Sequence, residues 1–267
     1  MIDCFNRNIN VLRISLTDSC NLKCFYCYEE EKSAPTIHKI DKNKIIEIVK
    51  TAAKMGLNQI KLTGGEPLLY KEIPEVVYDI RQVKEIDDIS MTTNGVLLAE
   101  YAEILKKNGL DRVNVSLDTL DRDVYRQITG FDLIDKVFEG IDRAKKNNLT
   151  PIKINTVFLK GVNDNEIPEI KSFCKKNNLE FQLINRMILD QNKKDSESKN
   201  SDKPPDCSKC NRIRLTSDGK LLPCLFSEKF IDLTGYTDYS AALKDCINIK
   251  PERGEKKSAK QMFQIGG

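Results

Sequence analysis

Six times between residues 10 and 185, a short β-branched run is followed by a stretch with helical apolar spacing. That alternation constrains the fold more than any other feature of the chain. The strands are expected at 10–16, 58–63, 86–92, 111–117, 151–157 and 179–184. The helices between them are expected at 41–55, 72–83, 98–108, 121–128 with 132–147, and 165–176. The first helix shows the pattern: Asp41 is the N-cap, Ile45, Ile46, Ile48, Val49, Ala52 and Ala53 form the apolar face, and Gly56 closes it. A helix between consecutive strands returns the chain to the same edge, so the sheet must be mainly parallel. Right-handed crossovers curl such a sheet, and the expected fold is α/β, a partial TIM-type (βα)6 barrel. Polar and glycine-rich motifs follow the first four strands, which puts them on the C-terminal rim where such folds build active sites.

The repeat ends at residue 189. Residues 190–206, DQNKKDSESKNSDKPPD, are polar, mixed in charge and closed by Pro204–Pro205, and read as a linker. Residues 207–267 repeat no strand–helix unit and are expected to form an irregular cap.

The chain has nine cysteines, and six fall into two compact groups, Cys20/Cys24/Cys27 and Cys207/Cys210/Cys224. The N-terminal MIDCFNRNINVLRI has no signal-peptide apolar core and no stretch is long enough to span a membrane, so the expected location is cytoplasmic. Disulfides are rare there, which leaves metal ligation as the reading of grouped thiols. The single histidine, His38, excludes a histidine-rich site. A net charge of +3 does not suggest a general nucleic-acid binder, but leaves room for a local basic pocket.

Three thiolates suit a [4Fe–4S] cluster whose fourth iron stays open to another ligand. Zinc is the rival for both groups. At the first it lacks a nearby fourth ligand, and at the second the CxxC spacing with a distant cysteine also resembles a zinc knuckle. Between Cys210 and Cys224 the run NRIRLTSDGKL reads as two short strands joined at Asp218–Gly219. Arg212 and Arg214, two residues apart, would share a side there and suit a polyanion.

Cys20-Asn21-Leu22-Lys23-Cys24-Phe25-Tyr26-Cys27 resembles the CxxxCxxC motif of the radical SAM superfamily. The resemblance implies a cluster whose free iron chelates S-adenosylmethionine (SAM), with Tyr26 near its adenine. Gly64–Gly65–Glu66–Pro67 looks like that family's GGEP segment beside the methionine amino group. Thr93, Asn94, Ser116 and Asn155 stand at strand ends where the family binds carboxylate and ribose, although each also suits a cap or turn.

The run from Cys207 to Phe226 is similar to the second-cluster motif of the GTP 3′,8-cyclase family, which opens molybdenum cofactor biosynthesis. Leu12–Asp18, Ser116–Leu120, Lys153–Asn155, Gly161–Asp164 and the terminal Gly266–Gly267 match that family too. The resemblance implies two [4Fe–4S] clusters, SAM cleavage to a 5′-deoxyadenosyl radical, and hydrogen removal from C3′ of GTP before attack on guanine C8. It implies GTP contacts at Arg13, Arg212 and Arg214, and a tail that threads toward the active site. It also implies an electron donor such as flavodoxin or ferredoxin, hand-over of product to cyclic pyranopterin monophosphate synthase, and a homodimer. The chain departs from the family at Tyr70–Lys71, where arginine is usual after GGEPLL, and at Glu180–Asn185, where an arginine-bearing strand is usual. Lys71 and Arg186 are the expected replacement charges. A paralogue using two clusters on a peptide or another nucleotide is the alternative reading.

Overall fold

The expected strand–helix units are all present, each within a few residues of its expected bounds. The strands are β1 (Val11–Ser15), β2 (Gln59–Thr63), β3 (Asp88–Thr93), β4 (Arg112–Ser116), β5 (Lys153–Phe158) and β6 (Glu180–Asn185). The helices are α1 (Lys42–Lys54), α2 (Ile73–Arg81), α3 (Leu98–Lys107), α4 (Arg122–Thr129), α5 (Ile134–Lys146) and α6 (Ile167–Lys176). The computed structural model describes residues 1–27, 38–186 and 206–254. Nearly all of the linker, and Gly266 and Gly267, lie outside the described residues.

Local chemistry sets the helix ends. The Asp41 carboxylate accepts from the Lys44 amide at 3.0 Å at the start of α1. Gly56, at φ +90°, ends that helix in the left-handed region that only glycine enters at no cost.

The sheet has nine strands in the order β6-β5-β4-β3-β2-β1-β7-β8-β9. The irregular cap expected after residue 207 is more regular than its sequence suggests. β7 (Arg212–Leu215) lies parallel to β1, with Val11 opposite Arg212 and Arg13 opposite Arg214. β8 (Lys220–Leu222) and β9 (Ile231–Asp232) add antiparallel strands, and α7 (Tyr239–Asn248) packs on α1 and β8. Sequence patterning missed this because the partner of β7 is about 200 residues away and no crossover helix announces it.

Alternate strand residues form the core face. Leu12, Ile14, Ile60, Leu62, Ile89, Met91, Val113, Val115, Ile154, Ile213 and Leu215 are all buried. Burying one such side chain is worth about 1.5–3 kcal/mol, and a one-residue slip would turn a whole strand's set to the other face. The apolar face therefore fixes the register, and the register decides which polar residues share the opposite, concave face.

Candidate active site

On the concave face the paired residues are almost all polar. Arg13 stands between Lys61 and Arg214, Lys61 faces Ser90, and Ser90 faces Arg112. Further along, Ser116 faces Asn155, and Lys153 faces Glu180. Fully parallel sheets usually carry apolar side chains on both faces, so this polar face signals a site. Two cavities lie along it. One, toward the C-terminal strand ends, measures about 170 Å³ and the other, toward the N-terminal ends, about 180 Å³. In β2, Thr63 lines the first and Lys61 the second.

The first cavity is lined by Cys20, Cys24 and Cys27 together with Tyr26, Gly64, Gly65, Thr93, Asn94, Ser116, Asn155 and Arg186. The cysteine-bearing loop is held by backbone bonds from the glycine motif. The Gly65 amide donates to the Thr17 carbonyl and the Glu66 amide to the Ser19 carbonyl, both at 2.7 Å. A Cβ on Gly64 would sit 2.6 Å from the Thr17 oxygen. The glycines are thus required first for packing against this loop. The Asn94 side chain donates to Asn21 Oδ1 at 2.7 Å and faces Cys20 Sγ at 3.9 Å. The Tyr26 hydroxyl donates to Asp118 Oδ2 at 2.6 Å, and Asp118 Oδ1 accepts the Val157 amide at 2.7 Å. Burial pushes the Asp118 carboxyl up to about 6.

Glu66 lies behind the cavity. Its fully buried carboxylate accepts from the Leu68 amide at 3.0 Å, and from the Thr93 hydroxyl and the Asn94 amide at 2.7 Å each. Burial nevertheless raises it to about 7. It positions Thr93 and Asn94, while its own carboxylate does not line the cavity.

The donor set fits the groups implied for this cavity. Three free thiols share its wall, and Cys24 and Cys27 are in side-chain contact. Among the described residues, three thiols and no histidine on that wall form an all-sulfur donor set, the kind that iron–sulfur clusters take. Asn155 Oδ1 is buried on this wall without a hydrogen-bond partner, as an acceptor for a ribose hydroxyl requires.

Arg13, Lys61, Arg112 and Arg212 line the second cavity. Burial, then the neighbouring Arg214 and Arg212, hold Arg13 well below its ordinary value. Burial and the charge of Arg212 bring Arg214 down to about 10. Burial brings Lys61 to about 7, with Arg13, Arg212, Arg112 and Lys153 acting in the same direction. Cations placed so close together call for an anion. Lys61, Arg112 and Lys153 escaped the sequence reading; the available signal was strand parity, since each stands an even number of residues before a rim residue on its strand.

Lys71 does not fill the place expected of it. Its side chain is exposed and lines neither cavity, because the 3-10 turn Pro67–Leu69 carries Tyr70 inward, where its hydroxyl donates to the Ile40 carbonyl at 2.9 Å. Arg186 lines the first cavity, 6.0 Å from the Phe25 ring centroid, away from the arginine group. Glu180 is paired with Lys153 at 3.2 Å. The second cysteine group forms the expected hairpin, with Gly219 at φ +78° in its turn and Cys207, Cys210 and Cys224 half-buried.

The model of the Radical SAM superfamily matches residues 14–174, and that described as Molybdenum Cofactor Synthesis C matches residues 179–260. A GTP 3′,8-cyclase of Clostridium botulinum (strain Okra / Type B1) is 40% identical over 319 aligned positions, covering 100% of both chains. A GTP 3′,8-cyclase of Thermodesulfovibrio yellowstonii is 38% identical over 322 positions, again with 100% coverage of both. These alignments are longer than the chain's 267 residues, so the relatives carry segments this chain lacks. Among solved structures, anSMEcpe with bound AdoMet superposes with a TM-score of 0.69 at 18% identity, covering 91% of this chain and 81% of that one. Streptococcus suis SuiB bound to its precursor peptide gives 0.69 at 19%, covering 92% and 66%. Those two likenesses concern the fold alone. A strand-end thiol triad beside a glycine-braced cavity, a cationic cluster on the same sheet face and full-length kinship together place this chain in the GTP 3′,8-cyclase family of radical SAM enzymes.

Proposed function

We propose that this chain converts GTP into (8S)-3′,8-cyclo-7,8-dihydroguanosine 5′-triphosphate, in molybdenum cofactor biosynthesis, with SAM cleaved by a donor's electron to methionine and 5′-deoxyadenosine. The observation that carries the reading is the shared sheet face. Arg214, Arg13 and Lys61 stand in register on adjacent strands, with Arg112 beyond Ser90 at the same level and Arg212 two residues earlier on its strand. All lie on the N-terminal side of the rim that bears Cys20, Cys24 and Cys27. Cys20, Cys24 and Cys27 hold one [4Fe–4S] cluster in this reading, and Cys207, Cys210 and Cys224 hold a second.

When bound, the rim cluster and SAM supply a carbon-centred oxidant that takes hydrogen from a ribose carbon. The chain's residues bind, orient and shield. Asn155 and Ser116 present polar atoms to the SAM ribose, and Tyr26, anchored by Asp118, closes the adenine side. Arg13, Arg212 and Arg214 grip the triphosphate, with Lys61 deepening the positive field, while Arg112 is paired with Asp88 at 2.7 Å. Lys153, paired with Glu180, contributes less net charge. The positioning of the sugar beneath the thiol rim is the chain's main contribution to rate.

Flavodoxin or ferredoxin as reductant, a homodimer, and hand-over of product to cyclic pyranopterin monophosphate synthase belong to the same reading. The test is anaerobic incubation of reconstituted protein with SAM, dithionite and GTP, followed by mass spectrometry. A cyclised product at the mass of GTP is expected. SAM cleavage without that product would remove GTP as the substrate while leaving the radical chemistry intact.

A further inference from the structure

Lys250 is a buried cation that lines neither cavity. It lies just past the end of α7 and is 3% exposed. Its ammonium donates to the Arg212 carbonyl at 2.9 Å and the Pro223 carbonyl at 2.6 Å. An ammonium has three donors, and these carbonyls use two, which leaves one for a ligand sulfur. Arg212 follows Cys210 by two residues, and Pro223 immediately precedes Cys224. One side chain thus ties together both limbs of the second cysteine group. Among the described residues no carboxylate pairs with it, and a buried cation without a counter-charge is costly. A loaded site would bring it the cysteine thiolates and the cluster sulfides as counter-charge.

The third ligand has its own tie. Arg7, 6% exposed, donates from one nitrogen to the Cys207 carbonyl and the Glu252 carbonyl, both at 2.9 Å, and from another to the Pro251 carbonyl at 2.7 Å. Asp3 holds this guanidinium in place at 2.6 Å. Arg7 therefore joins the Cys207 limb to the segment carrying Lys250.

We infer that Lys250, braced by Arg7, is a positioning residue that preassembles Cys207, Cys210 and Cys224 and donates a hydrogen bond to the sulfur of Cys210 in the loaded site. The inference rests on the reading of that group as a cluster site. Hydrogen bonds to ligand sulfurs and nearby positive charge raise a cluster's reduction potential, whereas a purely structural lysine would leave it unchanged.

The test compares wild type, Lys250→Met, Lys250→Arg and Arg7→Lys after anaerobic reconstitution, by iron content, redox titration followed by electron paramagnetic resonance, and chelator extraction. Wild type is expected to hold about eight irons, the content of two [4Fe–4S] clusters. Lys250→Met is expected to release the second set's iron about tenfold faster, the worth of one charge-assisted hydrogen bond, and to shift that set's potential downward. The signal of the first set should not move. Lys250→Arg keeps the charge and should recover part of the potential. Arg7→Lys should speed iron loss without shifting the potential. Should Lys250→Met fail to fold, the neutral Lys250→Gln carries the test, and an unchanged second-set potential there overturns the inference. Eight irons in wild type with an unaltered second potential in Lys250→Met overturn it alone. Only four irons in wild type overturn the two-cluster reading, and this inference with it.

Discussion

A methyl group on the α-carbon of Gly65 would lie 2.3 Å from the carbonyl oxygen of Ser19, the residue before the first ligand cysteine. The GGEP segment and the cysteine loop are in backbone contact, with no space for a side chain between them. Gly65→Ala is therefore expected to cost about 1–3 kcal/mol through overpacking and to reduce iron loading at Cys20, Cys24 and Cys27. Gly235→Ala, where an added Cβ meets nothing within 4 Å, is the control. Urea unfolding with iron analysis checks both.

Glu66 gives a pH prediction. Its carboxyl is raised by burial from 4.5 to about 7, so the folded state holds a proton that the unfolded chain has lost over that range. Stability should fall as pH rises from about 4.5 to about 7, and then level off. Asp118, raised from 3.8 to about 6, adds the same sign over a lower window. Glu66→Gln should remove the upper part of the slope. At pH 7 it should cost about 1–3 kcal/mol, because its amide group would face the Asn94 or Leu68 N–H. Unfolding curves at four pH values separate the two effects.

Lys61 predicts linked proton uptake. In the free protein, burial and surrounding cations bring it to about 7. A bound triphosphate favours its charged form, so GTP should take up a proton at pH 7–8 and bind more weakly as pH rises. Calorimetry in buffers of different ionisation heat should show that uptake. Lys61→Met should abolish it and weaken GTP binding about ten- to a hundredfold, the worth of a charge-assisted hydrogen bond. Equal heats in all buffers for wild type would sink this assignment.

The Tyr26–Asp118 bond at 2.6 Å should matter for SAM rather than GTP. Tyr26→Phe and Asp118→Ala are each expected to weaken SAM binding about tenfold. Because both remove the Tyr26–Asp118 bond, the double variant should lose little more than Asp118→Ala alone, which also leaves the Val157 amide unpaired. Full additivity by equilibrium dialysis would show that the two residues act separately.

The sequence made the local features legible and left the non-local ones hidden. Helix α1 lies at 42–54 where spacing and caps indicate 41–55, because Asp41 and Gly56 act on their own backbone neighbours. The Asp218–Gly219 hairpin was legible for the same reason. Lys61 and Arg112 were not, since their convergence depends on strand register. The outward turn of Lys71 was not legible either, because one 3-10 turn decides whether Tyr70 or Lys71 turns inward. Lys250 sits in a charged stretch where a solvated side chain is the ordinary expectation, and only the fold around α7 shows it buried.

The pairing of Val11 with Arg212 has a consequence for how the molecule is made. In the finished sheet β1 is an interior strand, but during synthesis it remains an edge until some 200 further residues have emerged. Such a distant closure is slow, and an uncovered edge invites pairing with other chains. The incomplete barrel is thus the aggregation-prone species in biosynthesis, and the arrival of β7 both protects that edge and brings the second thiol group into place.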